Sequence, residues 1–404
     1  MTLHSRSGAV SALEARQDAS PSRVLSFSSG DRRALSRVVG AFLLTRLLLY
    51  VTAAIAIRLL PPHPGSRAAA YLGKNLSLAA LARWDAGWYL SIAERGYWYD
   101  PHGASSVAFF PLLPLLIKGL GVFTGNQASA GLLIANLAAL GAVLALYHWV
   151  RMEAGHAAAE RAVLWLLVYP FSFYLHSIYA ESLFFLLATL ALYASAREQR
   201  LASGICGALA AVTRPMGVLL TPALAWGLWR DWRAGRPLRP RDAIAVLLPA
   251  AGLGVYMAYL WIAFGDPLAF WNAHRVGWHV QLQWTEAKYW YEMLEILIRP
   301  TRMRGYWDLL NTMRVLLPVV FVALTAQVFR HLGAVPGIYT GLAVAVAVGF
   351  APNSVGRELL AVVPAFAVLG VVGPRGALGE TLRLCSLGLL VLFLFAFVTG
   401  TFVG

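Results

Sequence analysis

The amino-acid sequence predicts an all-α, polytopic helical membrane protein. Of its 404 residues, 59% are hydrophobic and 13% charged, against roughly 25% charged in a soluble domain. Apolar runs close to or beyond the ~20 residues of a membrane helix recur along the chain. Lys and Arg return in short loops between alternate runs, which is the positive-inside pattern of cytoplasmic loops. The net charge of +14 is therefore a topological signal spread over many loops, and no nucleic-acid partner is expected. Cys206 and Cys385 both fall in apolar segments and read as small core hydrophobes. No HExxH, CxxC or P-loop pattern occurs, and no metal or other cofactor is expected.

Residues 1–37 are polar and basic without an apolar h-region, and read as a disordered cytoplasmic tail ahead of one membrane domain, 38–404. The first span is expected at 38–60. Arg46 lies within it and needs an inward-facing partner or a lipid phosphate. Pro61-Pro62-His63-Pro64-Gly65 ends that helix, and a first external loop follows over 61–106. The proline-broken stretch 107–123 reads as an interfacial or re-entrant helix on the outer side. Spans are then expected near 128–150, 160–175 and 178–195, with two short helices over 201–229 around Thr213-Arg214-Pro215. A span near 243–264 leads to a second external loop, 265–306, and further spans lie near 308–329, 336–351, 358–373 and 382–402. The total is roughly eleven spans, with the N-terminus inside and the C-terminus outside.

Within the first external loop stands Arg83-Trp84-Asp85-Ala86-Gly87-Trp88-Tyr89-Leu90. An aspartate among aromatic rings at a membrane surface fits two readings, a solvated acid in an interfacial belt or a site. On this topology Asp85, His176, Glu181, Arg214, His274, Arg275, Lys288 and Arg357 all collect at the outer leaflet. Arginine binds phosphate through a fixed fork of donors, a carboxylate can take a proton from an attacking hydroxyl, and aromatic faces suit lipid tails and sugars. A lipid-linked sugar phosphate would use all three. A transporter or flippase of lipid-linked sugars would also need a polar cavity, but no internal inverted repeat is present. A scaffold would not explain charges within apolar helices.

Several segments together resemble PIG-V-like mannosyltransferases. They are Arg83-Trp84-Asp85 continuing to Ile92, Ala93, Glu94, Gly96 and Tyr97; Phe109-Phe110-Pro111-Leu112-Leu113-Pro114-Leu115; Pro170 through Tyr179-Ala180-Glu181-Ser182; Thr213-Arg214-Pro215-Met216-Gly217; and Arg357 to Pro364. Met216 and Glu358 depart from the family's pattern, and the likeness covers about residues 40–370. The resemblance implies a GT-C fold and an inverting transfer of mannose from polyprenyl-phosphate mannose to a glycan or glycolipid hydroxyl, outside the cytoplasm and in the plasma membrane. It implies Asp85 as catalytic base. Arg214 and Arg357, with His176 or Arg275, would hold the donor phosphate, and Arg83, Trp84, Trp88, Glu181 and Lys288 would line the substrate site. The short, Ala- and Arg-rich chain looks like a prokaryotic member.

Overall fold

The computed structural model describes residues 29–60, 80–280, 291, 295, 306–350 and 352–403. The chain divides into two units, Met1–Arg37 and Val38–Gly404, and the second carries the site. Among the described residues every regular element is helical. In chain order the α-helices are α1 Ser29–Leu59, α2 Ala86–Arg95, α3 Leu112–Thr124, α4 Gln127–Ala154, α5 His156–Leu167, α6 Glu181–Ala196, α7 Arg200–Ala211, α8 Leu220–Arg233, α9 Pro240–Phe264, α10 Ala269–Gly277, α11 Tyr306–Leu332, α12 Ala334–Phe350, α13 Val355–Glu358, α14 Val363–Val372 and α15 Gly376–Thr399.

Five of these helices are long and apolar enough to cross a membrane, and a bent pair raises the number to six. The protein is a multi-pass membrane protein. Two segments expected as spans, 178–195 and 336–351, are the shorter apolar helices Glu181–Ala196 and Ala334–Phe350, and Leu112–Thr124 and Arg200–Ala211, expected as an interfacial or re-entrant helix and as a short helix, are likewise shorter apolar helices. Helix α1 shows how such a chain divides its surface. Phe42, Arg46, Leu49, Ala53 and Ala56, spaced alternately four and three apart, are buried, whereas Leu43, Leu44 and Leu47 are exposed. One stripe meets protein and the remainder is apolar surface suited to lipid.

Close crossings come from small residues, as expected where lipid tails are as apolar as leucine. A Cβ on Gly204 of α7 would collide with the carbonyl of Ala245 on α9, and one on Gly252 of α9 would collide with the carbonyl of Ala208. The two backbones approach through these positions.

Two expectations need correction. The segment 358–373 does not form one helix. A 3-10 turn over Leu359–Ala361 precedes α14, and the two halves meet at 80°. Pro364 sits in the first turn of α14, where its missing N–H costs nothing, but a helix cannot run through it unbroken. The expected loop 265–306 contains a helix, α10. The Asp266 carboxylate accepts the Leu268 N–H at 2.8 Å, and Ala269, Phe270 and Ala273 supply a buried face.

Broken backbone at membrane depth leaves carbonyls in need of donors. Tyrosine hydroxyls supply them: Tyr339 donates to the Ala361 carbonyl at 2.8 Å, Tyr169 to Gly356 at 2.8 Å and Tyr256 to Val107 at 2.8 Å.

Candidate active site

The site begins with local backbone. Trp84 adopts a left-handed conformation, φ 57°, which is uncommon for a bulky residue. It turns the chain so that Asp85 stands at the start of α2, and the Asp85 carboxylate makes no cap to that helix. Its main chain is held instead. The Asp85 N–H donates to the Tyr179 hydroxyl at 3.1 Å, and that hydroxyl donates to the Arg83 carbonyl at 3.2 Å. Ile178 N–H meets the Leu81 carbonyl at 3.3 Å. The turn before α6 is thus laced to the strip before α2.

The freed carboxylate meets Arg357, whose Nη1 donates to Asp85 Oδ2 at 2.6 Å. Arg357 Nε also lies 2.9 Å from Glu181 Oε1, and Arg214 Nη1 lies 2.6 Å from the same oxygen. Arg214 Nη2 donates to Glu358 Oε1 at 2.5 Å, and Arg357 Nη2 is 3.8 Å from it. Four separate parts of the chain build this network. Its side chains are little exposed, from 2% for Glu181 to 16% for Asp85. The Arg357 guanidinium also lies over the rings of Tyr174 and Tyr179, at 5.5 and 5.4 Å.

Three carboxylates face two guanidiniums, so one negative charge is in excess when all are ionised. The guanidiniums satisfy the carboxylates unevenly. Glu181 has both arginines at ion-pair distance, yet neither contact has hydrogen-bond alignment, and its Oε2 has no donor among the described residues. Among the described residues no group of three or more His, Cys, Asp and Glu is arranged to hold a metal ion.

Beside the network rises an aromatic wall. Trp88 lies three residues after Asp85, on the same side of α2. It stacks on Phe109 at 5.4 Å with planes 13° apart, and Trp278 meets both rings edge-on at 5.5 and 5.4 Å. Trp98 adds a tilted contact to Trp88 at 5.9 Å. One turn before Trp278, His274 packs on it at 5.8 Å. Burial holds the His274 imidazole below its ordinary pKa, against the opposing pull of Glu358 and Asp85.

The expected site residues divide as follows. Asp85, Glu181, Arg214 and Arg357 come together, and Trp88 borders them. Arg83 is buried beside Asp85, with its Nε unpartnered among the described residues. Trp84 points its exposed ring against Phe402 at 5.6 Å. His176 stands outside the network, its Nδ1 2.5 Å from Asn136 Oδ1. Arg275 is exposed on α10, and among the described residues no ion pair or hydrogen bond joins it to the network. Lys288 lies outside the described residues. Glu358, Tyr174, Tyr179 and Trp278 join the site without having been placed in it from sequence, and His274, gathered at the outer leaflet without a role, borders it through Trp278. Glu358 was visible only as an acid beside a span.

The chain resembles known proteins. Residues 34–227 fit the family model described as Mannosyltransferase (PIG-V). That segment, a little under half of the chain, resembles this family. It contains Asp85, Glu181 and Arg214, while Arg357 and Glu358 lie beyond it. The chain is 30% identical over 194 residues to the GPI alpha-1,6-mannosyltransferase 2 of Rattus norvegicus, a match covering 45% of this chain and 37% of that protein. It therefore spans little more than a third of that relative's length. Among solved structures, ArnT from Cupriavidus metallidurans bound to undecaprenyl phosphate superposes with a TM-score of 0.51 at 15% identity, over 87% of this chain and 63% of that one. The same enzyme in its apo state gives 0.50 at 16% identity, over 87% and 62%. The fold of the PIG-V-like chain is GT-C.

Proposed function

We propose that the protein is an inverting membrane glycosyltransferase that moves mannose from polyprenyl-phosphate mannose to a hydroxyl of a glycan or glycolipid, at an active site outside the cytoplasm of a plasma-membrane protein. One observation carries this reading. Asp85, the most exposed carboxylate of the network, is fixed by Arg357 one helical turn from an aromatic wall. The family of residues 34–227, and the lipid phosphate named with ArnT, support the donor class.

In this mechanism Asp85 accepts the proton of the acceptor hydroxyl. The oxygen bonds to the anomeric carbon from the face opposite the phosphate, the bond from that carbon to the phosphate oxygen breaks, and its electron pair leaves on the phosphate. A positioned base contributes about 10²–10⁴-fold. The sequence suggests Arg214 and Arg357 as phosphate ligands, but both are committed to carboxylates, with one carboxylate in excess. The geometry supports a different role: Arg357 orients Asp85, and Arg214 pairs with Glu181 and Glu358 beside it. The wall of Trp88, Phe109 and Trp278 offers a flat face to the acceptor sugar.

The test is product formation. Membranes from cells expressing the protein, given labelled polyprenyl-phosphate mannose, should yield a mannosylated acceptor that membranes expressing Asp85→Asn do not. Equal product from both would end this assignment. A panel of other lipid-phosphate sugars in the same assay identifies the sugar.

A further inference from the structure

The stretch 230–241, where α8 ends and α9 begins, holds five arginines against one carboxylate. They are Arg230, Arg233, Arg236, Arg239 and Arg241, and the acid is Asp231. Two of the five are spent. Arg230 and Arg236 each stand 3.5 Å from Asp231, and Arg236 is 2.8 Å from Glu198. Arg200 of α7 takes both buried aspartates, Asp231 at 2.7 Å and Asp242 at 3.1 Å. The carboxylates are therefore occupied. Arg233, Arg239 and Arg241 make no ion pair among the described residues, and all three are exposed.

Exposed arginines alone are ordinary, but these border a groove. It lies between α8 and α9 and measures about 360 Å³, within the ~300–1,000 Å³ of small-ligand sites. Its walls are apolar: Leu228, Trp229 and Trp232 come from α8, Leu238 from the turn, and Val246 and Leu247 from α9. Trp226 packs on Trp229 with ring centroids 4.7 Å apart. Trp232 and Leu247 each leave 60% of their surface uncovered. The Arg233 guanidinium lies over the Trp229 ring at 5.6 Å, which sets a cation on the groove's own wall. Arg239 directly follows Leu238, and Arg241 stands two residues before Ala243, another lining residue.

Position and charge together select the occupant. α9 is long and apolar enough to cross a membrane, and Ala243, Val246 and Leu247 lie in its first turns. The groove thus opens where hydrocarbon meets headgroups, the level at which tryptophan and arginine concentrate. A soluble ligand would have to leave water to reach it, and the apolar walls would give its polar groups nothing to bind. An acyl chain needs no hydrogen bond. A phosphate held above it would meet Arg233, Arg239 and Arg241, whereas a zwitterionic headgroup brings its own cation against them. The surplus of arginine also marks this end as cytoplasmic, facing the leaflet whose anionic lipids attract basic clusters. We propose that the groove between α8 and α9 is a binding site for one anionic phospholipid, with its chain against Trp229, Trp232 and Leu247 and its phosphate on the three unpaired arginines. The site is independent of the transferase reading, because none of these residues belongs to the Asp85 network.

The experiment uses the full chain in detergent, titrated with phosphatidylglycerol, phosphatidylcholine of the same chains, or inorganic phosphate. Bound lipid is counted by native mass spectrometry, and melting temperature is followed in parallel. Phosphatidylglycerol should bind the wild type one to one and raise its melting temperature, and phosphatidylcholine and inorganic phosphate should do neither. The triple variant Arg233→Gln, Arg239→Gln, Arg241→Gln should melt like the wild type without lipid, since its side chains are exposed and make no ion pair, and should bind phosphatidylglycerol about 10- to 100-fold more weakly. Ala243→Phe fills the groove and leaves the arginines in place; it should lose the one-to-one complex as well. Equal affinity of the wild type for the two lipids would overturn the proposal, as would undiminished binding in the triple variant. Full phosphatidylglycerol binding in Ala243→Phe would reduce the site to a charged surface and overturn the groove. A melting shift from inorganic phosphate, or from a soluble acidic peptide, as large as that from phosphatidylglycerol would overturn the lipid as its ligand.

Discussion

Replacing Asp85 by Asn separates chemistry from architecture, and the network sets the expected size of each effect. The Asn side chain has the shape of the acid and can still accept from Arg357 Nη1, now at 2.6 Å from Asp85 Oδ2. One charge-assisted hydrogen bond, worth about 1.5–3 kcal/mol, becomes a neutral one of about 1 kcal/mol. Against this loss, the excess negative charge disappears, leaving two carboxylates for two guanidiniums. The terms oppose each other, so stability should change by no more than about 1 kcal/mol. Turnover should fall by about 10²–10⁴, since the base is gone, which is a barrier increase of about 3–5 kcal/mol. Arg357→Gln is the contrast. It strands Asp85 and part of Glu181 in a site where Asp85 is 16% and Glu181 2% exposed, and removing one partner of a buried pair costs about 3–5 kcal/mol. Purified variants would be assayed for mannose transfer and for melting temperature together. Wild-type turnover in Asp85→Asn would refute the base. Melting depressed in Asp85→Asn as far as in Arg357→Gln would refute the balance of charge used here.

Three further outcomes follow from the same geometry. Trp278→Ala removes the ring that closes the wall against Trp88 and Phe109; the acceptor KM should rise about 2- to 10-fold, as for loss of an aromatic contact worth about 0.5–1.5 kcal/mol, with the donor KM unchanged in steady-state assays. His274 has a folded pKa depressed by burial, so its contribution to stability is present above the ordinary histidine value of about 6.5 and is lost as pH falls below it; melting curves of His274→Phe should depend less on pH in that acidic window. Transfer should persist after treatment with a chelator, and its abolition would contradict a mechanism built on carboxylate and guanidinium alone.

Much of the helical skeleton was legible in the chain because apolar length is a local property. Pro240–Phe264 and Gly376–Thr399 lie close to the spans expected at 243–264 and 382–402. The break at Val362 was not legible, because the residues around it are uniformly apolar and only Pro364 marks the boundary. Helix α10 was missed because its polar face reads as loop. At the site, topology alone gathered Asp85, Glu181, Arg214 and Arg357 on one side. It could not say which charges touch, since Arg214 meets Glu358 across 144 positions and Arg357 meets Asp85 across 272. Glu358 was passed over because it departs from the family's pattern, although its neighbour Arg357 was not. His176 shows the opposite limit: its type and location suggested the phosphate network, and only the amide of Asn136 explains why it faces elsewhere.

The span of 272 residues between Asp85 and Arg357 also has a consequence for biosynthesis. The guanidinium that neutralises the acid is translated 272 residues after it. Until it arrives, the growing chain holds that anion without its partner, so chains stopped short of Arg357 should be recognised as defective and degraded, whereas those that acquire it escape.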